Sequence, residues 1–341
     1  MYQLMDNPKK IKNIEELALV LNVSKSTISR AFRDSYDISP KTKKMILEAA
    51  SKYGFHPNST AQSLRENKTK RIGVIVPSFT IPFYSNAICG IQEVARKEGY
   101  NLLICESDES YEIELENIRS LVKSRVDGII MSITSETNQY KHIKDLRDSN
   151  FPLVLFNRTT DLPGISKVRI DDYDGTFKMT MHLLSKGYKD IVYLAGPKNL
   201  MMTKRRVKGY LDAMYINHII INPDNISYGD FSIEHGQDIA ARFLSDNIHP
   251  EVFFCSCDNV AYGVIKYLKS VNIRIPDEIA VAGFTDELYA ELIEPSLTTI
   301  HQPVREIGIE AAKLLFKQLK YKNTRPEILE LPTTLVIRTS T

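Results

Sequence analysis

Residues 13–54 carry the pattern that most constrains the fold of this chain, because a capping residue stands at the expected start of each of three short helices. Asn13, Ser24 and Ser39 all stand where a side-chain oxygen can accept from the first free amide groups of a helix. Pro40 suits the first turn of the third helix, and Gly54 suits its end. The sequence therefore predicts a compact bundle of three short helices with a tight turn between the first two.

Each predicted helix has one apolar face. The apolar positions are Leu17, Ala18 and Leu21, then Ile28 and Ala31, then Met45, Ile46, Ala49, Ala50 and Tyr53. The outward positions around the second helix are polar or cationic: Asn13, Ser24, Lys25, Ser26, Thr27, Ser29 and Arg30. Such side chains can bind phosphates and base edges, so two short helices joined by a turn predict a DNA-reading unit. A generic three-helix bundle with a solvated polar face is the alternative.

The distribution of charge favours the DNA-reading interpretation. Residues 1–71 contain 14 Lys and Arg against 7 Asp and Glu, although the whole chain is nearly balanced at 44 against 42. The basic excess of the first segment is therefore offset by a mildly acidic remainder. A segment with this asymmetry is typical of a protein whose head binds a polyanion.

Several segments together resemble the lac repressor family of bacterial transcription regulators. They are NVSKSTISRA and ISPKTKKMILEAASKYGFHPNSTAQSLR in the head, followed by RIGVIVPSFTIPFY, RVDGII, RVKGY, DNVAYGVIKYL, IPDEIAVAGF and EPSLTTIHQP. Each piece alone is weak, but their order and spacing cover nearly the whole chain and are specific. The resemblance implies double-stranded DNA with a near-palindromic operator as one partner and a second copy of the chain as another.

Residues 57–65 could form about two helical turns, which is too short to be helical alone in water. Asn58 can cap this segment, and Ala61 and Leu64 share its face. The resemblance implies a hinge helix that pairs with its copy in the minor groove, where Leu64 wedges between base pairs and kinks the duplex. Burial of Leu64 against the remainder of the chain is the alternative.

The remaining 270 or so residues alternate apolar runs with amphipathic stretches, which predicts parallel sheets covered on both faces. The expected strands are 72–77, 101–105, 128–133, 152–157, 191–195, 252–256, 279–284 and 331–338. The expected helices are 83–98, 112–124, 172–185, 205–215, 232–244, 259–271 and 305–319.

The fold class that we expect is an N-terminal all-α helix-turn-helix domain plus an α/β body. The resemblance implies that this body is periplasmic-binding-protein-like, with two doubly wound parallel-sheet lobes. We expect the helix-turn-helix domain at 1–56, a hinge helix and linker at 57–71, and an effector-binding and dimerisation domain at 72–341. The N-lobe would comprise about 72–170 and 302–330, and the C-lobe about 171–301 and 331–341.

Ligands of open parallel sheets bind at the carboxyl ends of the strands. The resemblance nominates positions there for a small-molecule effector: Phe83, Tyr84, Asn157, Arg206, Asp258, Phe284 and Thr285. Five of them have a structural alternative: lobe packing for the aromatic pair, a strand-end turn for Asn157, a surface ion pair for Arg206 and a helix cap for Asp258. Thr285 and Cys257 replace the aspartate and asparagine that many relatives carry, and the segment before Arg206 is rich in methionine. A purine is thus less expected, and a sugar or derivative remains the default effector.

Motifs for catalysis are absent from the sequence: it has no GxSxG, HExxH or phosphate-binding loop. The seven histidines lack metal spacing, and the four cysteines include no C-x-x-C pair, so we expect no metal and no cofactor. A long apolar run is also absent, which predicts a cytoplasmic protein with no membrane partner. We expect a ligand-responsive transcription regulator, and a repressor as its mode. A small-molecule binder without operator activity and an enzyme acting in the cleft are the alternatives.

Overall fold

The computed structural model describes residues 11, 13–32, 37–55, 68–321 and 324–341, in two compact units that meet in sequence between Thr69 and Lys70. The predicted positions Asn58, Ala61 and Leu64 lie outside the described residues. None of the helices in these ranges combines the length and apolarity that a bilayer crossing requires.

The first unit contains the three predicted helices, α1 (Ile14–Leu21), α2 (Lys25–Phe32) and α3 (Pro40–Lys52). All three caps are confirmed. Asn13 accepts from the amide of Glu16 at 2.9 Å, Ser24 from that of Thr27 at 3.0 Å, and Ser39 from that of Thr42 at 3.1 Å. These bonds satisfy donors that the start of a helix leaves free.

Leu17, Ile28 and Ile46 are fully buried and form the centre of the bundle. The apolar faces of the first two helices are thereby confirmed. The prediction for Met45 was wrong, because its side chain is 41% exposed. Adjacent helix positions differ by about 100°, so the turn that buries Ile46 and Ala50 points Met45 outward.

The second unit begins with a six-stranded parallel sheet. Its strands in chain order are β1 (Arg71–Val76), β2 (Asn101–Glu106), β3 (Gly128–Met131), β4 (Leu153–Phe156), β5 (Ser166–Ile170) and β11 (Ile328–Leu331). The spatial order is β11-β5-β4-β3-β1-β2, and every pair is parallel. The part β2-β1-β3-β4-β5 is a doubly wound order.

A four-stranded parallel sheet forms the second lobe. Its strands are β6 (Ile191–Ala195), β7 (Ile226–Tyr228), β8 (Val252–Cys255) and β9 (Ala280–Ala282), in the order β7-β6-β8-β9. The short antiparallel pair β10 (Thr299–His301) and β12 (Thr334–Val336) is separate from both sheets.

Helices cover both sheets. In chain order they are α4 (Pro82–Lys97), α5 (Tyr111–Lys123), α6 (Lys141–Asp148), α7 (Asp172–Ser185), α8 (Met201–Ile216), α9 (Ile233–Ser245), α10 (Asp258–Ser270), α11 (Tyr289–Leu292) and α12 (Val304–Lys320). The final long helix, α12, packs on α4 and on strands of the first sheet, so the chain returns to the first lobe after completing the second.

The single strand expected at 331–338 is instead two short strands in different sheets. β11 ends at Leu331 and β12 begins at Thr334. Pro332 lies between them, and its missing N–H interrupts a continuous ladder. The strand β5 was not predicted, because the charged residues Lys167 and Arg169 are unusual in a buried strand. Lys167 is buried all the same, and its ammonium donates to the carbonyl of Leu162 at 2.8 Å.

Helices α4 and α12 approach so closely that their contact surface requires glycine. A Cβ atom at Gly90 would lie 2.1 Å from the carbonyl oxygen of Arg305, and one at Gly308 would lie 2.0 Å from that of Ala87. Both obstacles are helical backbone, which cannot move as a side-chain end can. The two glycines therefore set the distance between the helices that cover this face of the first lobe.

Gly308→Ala should destabilise the 70–341 unit by ~3 kcal/mol, the upper part of the usual range for overpacking, because α4 and α12 must separate. Urea unfolding followed by far-UV circular dichroism measures this loss. The control is Cys89→Ala, at an exposed position on α4. Equal stability of the two variants would contradict the close approach.

Candidate functional site

The winding of both sheets directs attention to two pairs of strand ends. In a doubly wound sheet a crevice opens where the strand order reverses, at the carboxyl edge. The reversal falls between β1 and β3 in the first sheet and between β6 and β8 in the second. The segments that follow these strands carry most of the residues expected at a ligand site.

A cavity of about 50 Å³ lies between the two lobes at these strand ends. It adjoins a wider cavity of about 570 Å³, and both are lined by Phe83, Thr285, Glu287 and Gln302. The inner cavity is lined by Ile81, Phe83, Tyr84, Asn157, Arg158, Met202, Arg206, Phe231, Cys257, Asn259, Thr285, Glu287 and Gln302. Ligand sites usually measure ~300–1,000 Å³, so a sugar-sized ligand needs the outer space or a wider separation of the lobes.

Five of the seven positions expected for an effector line the inner cavity: Phe83, Tyr84, Asn157, Arg206 and Thr285. Asp258 and Phe284 do not line it but lie behind its wall. The Phe284 ring lies 3.8 Å beneath the guanidinium of Arg206. The Asp258 carboxylate accepts from the Thr299 hydroxyl at 2.6 Å and from the Glu287 amide at 2.8 Å.

Tyr84 forms the aromatic wall together with Phe83, whose ring meets it edge to face. Its hydroxyl lies 3.4 Å from Oγ of Ser132 and 3.5 Å from Nδ2 of Asn157. Burial raises the pKa of the Tyr84 phenol, so this group stays a neutral donor. Asn157 has a left-handed backbone (φ 57°) at the end of β4, which is a strand-end turn, yet its amide also reaches the cavity.

Arg158 also lines the cavity, although sequence reasoning missed it. Its guanidinium bonds Glu109 at 2.7 Å and lies 5.1 Å from the centre of the Phe231 ring of the second lobe. Burial acts to raise the pKa of Glu109, but the charge of Arg158 and the hydrogen bonds from Arg158 and Ser135 together outweigh it and lower that pKa. Its position in the sequence could have identified it, because Arg158 directly follows Asn157 at the carboxyl end of a buried strand.

Arg206 occupies the centre of the site and is 2% exposed, so it makes a buried rather than a surface ion pair. Its Nε donates to Asp172 at 2.8 Å and its Nη1 to the carbonyl of Ser256 at 2.6 Å. Burial raises the pKa of Asp172 even though Arg206 acts to lower it. The remaining nitrogen, Nη2, is buried with no hydrogen-bond partner among the described residues.

Glu287 and Gln302 are two further cavity residues that sequence reasoning missed. Oε2 of Glu287 and Oε1 of Gln302 are both buried without a partner in the described part of the chain. Burial first, and then the negative charge of Asp258, raise the pKa of Glu287 to about 7. Its position two residues after Thr285, in a loop leaving β9, was a signal that could have been used.

The two lobes touch around the cavity. Nδ2 of Asn199 donates to the carbonyl of Ser135 at 2.5 Å, and Leu200 and Met202 pack into the apolar cluster of the first lobe. Helix α8 begins at Met201, four residues before the predicted start, and this early start carries Met202 to the cavity wall. The segment rich in methionine is therefore lobe-to-lobe packing as well as cavity lining.

In the first unit, Ser24, Lys25 and Ser26 are exposed, and Thr27, Ser29 and Arg30 are partly exposed. Lys25 is ion-paired with Glu15, and Arg30 with Asp37 at 3.0 Å. Pairs this exposed contribute little to stability, so both cations can exchange their partners for phosphates. The arrangement leaves α2 with a polar, cationic outer face.

Comparison with known proteins agrees with this division of the chain. Residues 13–58 match the family described as bacterial regulatory proteins, lacI family, and residues 69–339 match periplasmic binding proteins and sugar binding domain of LacI family. The chain is 30% identical over 333 residues to an HTH-type transcriptional repressor PurR of Histophilus somni, covering 96% of this chain and 98% of that protein.

Solved structures are similar too. A lac repressor dimer bound to operator and the anti-inducer ONPF matches with a TM-score of 0.87 at 23% identity, over 97% of this chain and 99% of that one, which shows a common fold. A LacI family transcriptional regulator from Enterococcus faecium with bound ribose matches with a TM-score of 0.70 at 29% identity, over 80% of this chain and 98% of that one.

The Asp258 carboxyl should make the stability of the body depend on pH. Burial is the main reason that its pKa rises from 3.8 to about 6. A raised carboxyl pKa stabilises the folded state below the unfolded pKa, and this contribution is lost as the pH rises through about 6. Asp258→Asn should therefore remove ~2 kcal/mol of the decrease in unfolding free energy between pH 4 and pH 7.

Urea unfolding at intervals of half a pH unit measures this dependence for the wild type and the variant. Asp145→Asn, at an exposed aspartate on α6, is the control and should follow the wild-type curve. Parallel curves for the wild type and Asp258→Asn would show that this carboxyl titrates normally.

Proposed function

Because the chain belongs to the lacI family of bacterial regulatory proteins and is a ligand-responsive, DNA-binding transcription regulator, we propose that a sugar or sugar derivative in the cleft controls its operator affinity. The proposal assigns the effector to the inner cavity and its wider extension, and the operator to the polar face of α2. It also places the protein in the cytoplasm, where its operator lies.

The observation that carries the effector assignment is the unused hydrogen-bond capacity of Arg206. Two of its nitrogens are fixed by Asp172 and Ser256, while Nη2 has no partner among the described residues. A buried donor without an acceptor costs free energy. An effector oxygen placed against Nη2 would remove that cost, and the fixed nitrogens would hold the guanidinium in place for it.

The chemistry of the cavity favours a polyhydroxylated ligand. Arg206 offers a donor, Gln302 an acceptor and Asn157 both, whereas Phe83 and Tyr84 offer ring faces that suit the apolar side of a sugar ring. The bound ribose in the relative from Enterococcus faecium supports the same class. Met202 and Ile81 complete an apolar wall.

On the DNA side, a homodimer would present two copies of α2 to a near-palindromic operator, because one short helix makes too few base contacts for high specificity. Ser24, Lys25, Ser26, Thr27, Ser29 and Arg30 would contact phosphates and base edges, with Asn13 at the start of the preceding helix. The proposal divides the chain into a DNA-binding domain at 1–56, a hinge at 57–71 and an effector-binding body at 72–341. Asn58, Ala61 and Leu64 belong to that hinge.

Coupling between the two functions would run through the cleft. A ligand that contacts both lobes favours one angle between them, and the chain enters the first lobe at the start of β1. That entry point is fixed, since the amide of Lys70 bonds Asp127 at 3.0 Å and its carbonyl accepts from Asn101 at 2.9 Å. A change in lobe angle would therefore alter the spacing of the two hinge segments of a dimer.

Replacing the central ion pair tests the effector assignment. In Arg206→Gln/Asp172→Asn both charges are removed together, because loss of Arg206 alone would leave a buried carboxylate without its partner. We expect the double variant to bind operator but to lose the rise in melting temperature that a sugar panel produces in the wild type. A ligand that binds only the folded protein raises that temperature.

Lys208→Ala is the matched control, since Lys208 lies on the same helix but is exposed, and its charge is paired with Asp212 beside the ring of Tyr173. It should respond to ligand as the wild type does. A normal ligand response in the double variant would place the effector elsewhere.

Arg30→Ala tests the DNA face. We expect weaker operator binding and a slope of log affinity against log salt that is smaller by about one, as for the loss of one phosphate contact. Gel-shift titrations at several salt concentrations with genomic operator fragments measure both. Lys97→Ala removes an exposed lysine of the body and should leave the slope unchanged. An unchanged slope in Arg30→Ala would remove Arg30 from the interface.

A further inference from the structure

The charges around the cavity do not balance, and the imbalance is local. Arg158 is neutralised by Glu109 at 2.7 Å, Arg206 by Asp172 at 2.8 Å, and Arg338 by Asp286 at 2.7 Å. Two further carboxyls, Asp258 and Glu287, form no ion pair within the described ranges. The wall behind and beside the cavity thus carries more carboxyls than cations.

Asp258 cannot serve as a ligand group itself, because it is fully buried and holds the loop after β9. Its two oxygens are occupied by the Thr299 hydroxyl and the Glu287 amide. Its charge nevertheless acts on the side chain of Glu287, which is partly buried and lines the cavity. Above its pKa of about 6, Asp258 therefore provides a negative potential behind a carboxyl that a ligand could reach from the cavity.

Glu287 and Gln302 offer two buried acceptor oxygens on the same wall. Oε2 of Glu287 and Oε1 of Gln302 lack partners among the described residues, and both residues line the inner and the outer cavity. Gln302 is 4% exposed, so its side chain has little contact with bulk water. Two unsatisfied acceptors beside an uncompensated negative charge fit a positively charged group with several N–H donors.

We propose that the effector carries a protonated amine, which binds between Glu287 and Gln302 while the hydroxyl or ring oxygens of the same molecule accept from Arg206. The ligand class is an amino sugar or a comparable polyol amine. This inference rests on the proposed function, since it names the substituent that the cleft ligand bears. It also identifies Glu287 as the residue that distinguishes this ligand from a neutral sugar.

The protein groups around Glu287 do not supply the missing positive charge. The Tyr262 hydroxyl is also buried without a partner in the described residues, and its pKa is raised by burial and then by Asp258 and Glu287, so it is a neutral donor. Cys257 has its pKa raised to about 12 by burial and is likewise neutral. His301 and Arg338 are both engaged by Asp286. Arg305, which also lines the outer cavity, is paired with Glu93 at 2.7 Å. An anionic sugar would face Glu287 and the potential of Asp258.

If the ligand carries an amine, the direction in which its affinity changes with pH follows. Binding an ammonium requires the ionised form of Glu287, whose pKa lies at about 7 before binding. Binding should therefore release a proton from the protein. Affinity should rise as the pH increases toward that pKa, a range in which a sugar amine stays protonated. A neutral sugar has no such requirement and should release none.

The test compares matched pairs on the full-length protein: glucosamine with glucose, galactosamine with galactose, and mannosamine with mannose, together with their N-acetyl forms. We expect at least one hexosamine to raise the melting temperature and to bind about tenfold more tightly than both its hexose and its N-acetyl form, as for a charge-assisted hydrogen bond. Titration calorimetry in buffers of different ionisation enthalpy should show the proton release.

Glu287→Gln should abolish the difference between the amine and the neutral sugar, because it keeps the shape and removes the charge. Glu291→Gln, at an exposed position on α11, is the matched control and should preserve that difference. If Glu287→Gln fails to fold, the proton release of the wild type decides the question alone.

The outcomes separate this inference from the proposed function. Equal or tighter binding of neutral hexoses without proton release would overturn the amine but leave a sugar effector in the cleft. The amine would also be overturned, with the sugar effector kept, if Glu287→Gln weakened the binding of a hexosamine and of its matched hexose equally. Failure of every hexosamine and every hexose to shift the melting temperature would overturn both.

Discussion

The guanidinium of Arg206 joins three separate segments of the cleft. It contacts Asp172 at the start of α7, the carbonyl of Ser256 after β8, and the ring of Phe284 after β9. A buried ion pair is weak evidence for stability, because desolvation offsets the attraction. Its consequence here is geometric, since these three segments must keep their relative positions to satisfy one planar group.

That geometry explains which parts of the site the sequence could predict. Asn157 and Thr285 follow buried strands, so parallel-sheet topology places them at the carboxyl edge. Phe83 and Arg206 lie inside helices, and only the family motifs nominated them. The winding rule predicts the edge but not the direction of each side chain. Asp258 was expected at the ligand and instead lies behind the wall, because Thr299 and the Glu287 amide already occupy its oxygens.

The residues that were missed share a physical reason. Arg158, Glu287 and Gln302 reach the cavity from loops whose course depends on contacts far away in sequence, such as the ion pair between Arg338 and Asp286 in the loop of Glu287. No local periodicity reports such a contact. The wrong prediction of one strand at 331–338 also arises from distant contacts. β11 pairs with β5 and β12 pairs with β10, and neither partner is near in sequence. Helix caps in the first unit were predicted correctly because capping is local to four residues.

The arrangement of the lobes limits what a ligand must do to act as a switch. The contacts described between them near the cavity are a hydrogen bond from Asn199, the packing of Leu200 and Met202, and the stacking of Arg158 on Phe231. A single hydrogen bond contributes ~0.5–1.5 kcal/mol net, so two lobe angles could differ by only a few kcal/mol. A complete shift between two states needs ~5.5 kcal/mol of differential binding. An effector that satisfies Nη2 of Arg206 in one lobe and contacts Tyr84 in the other could supply energy of that order, because its contacts on both sides exist at one lobe angle and not at the other.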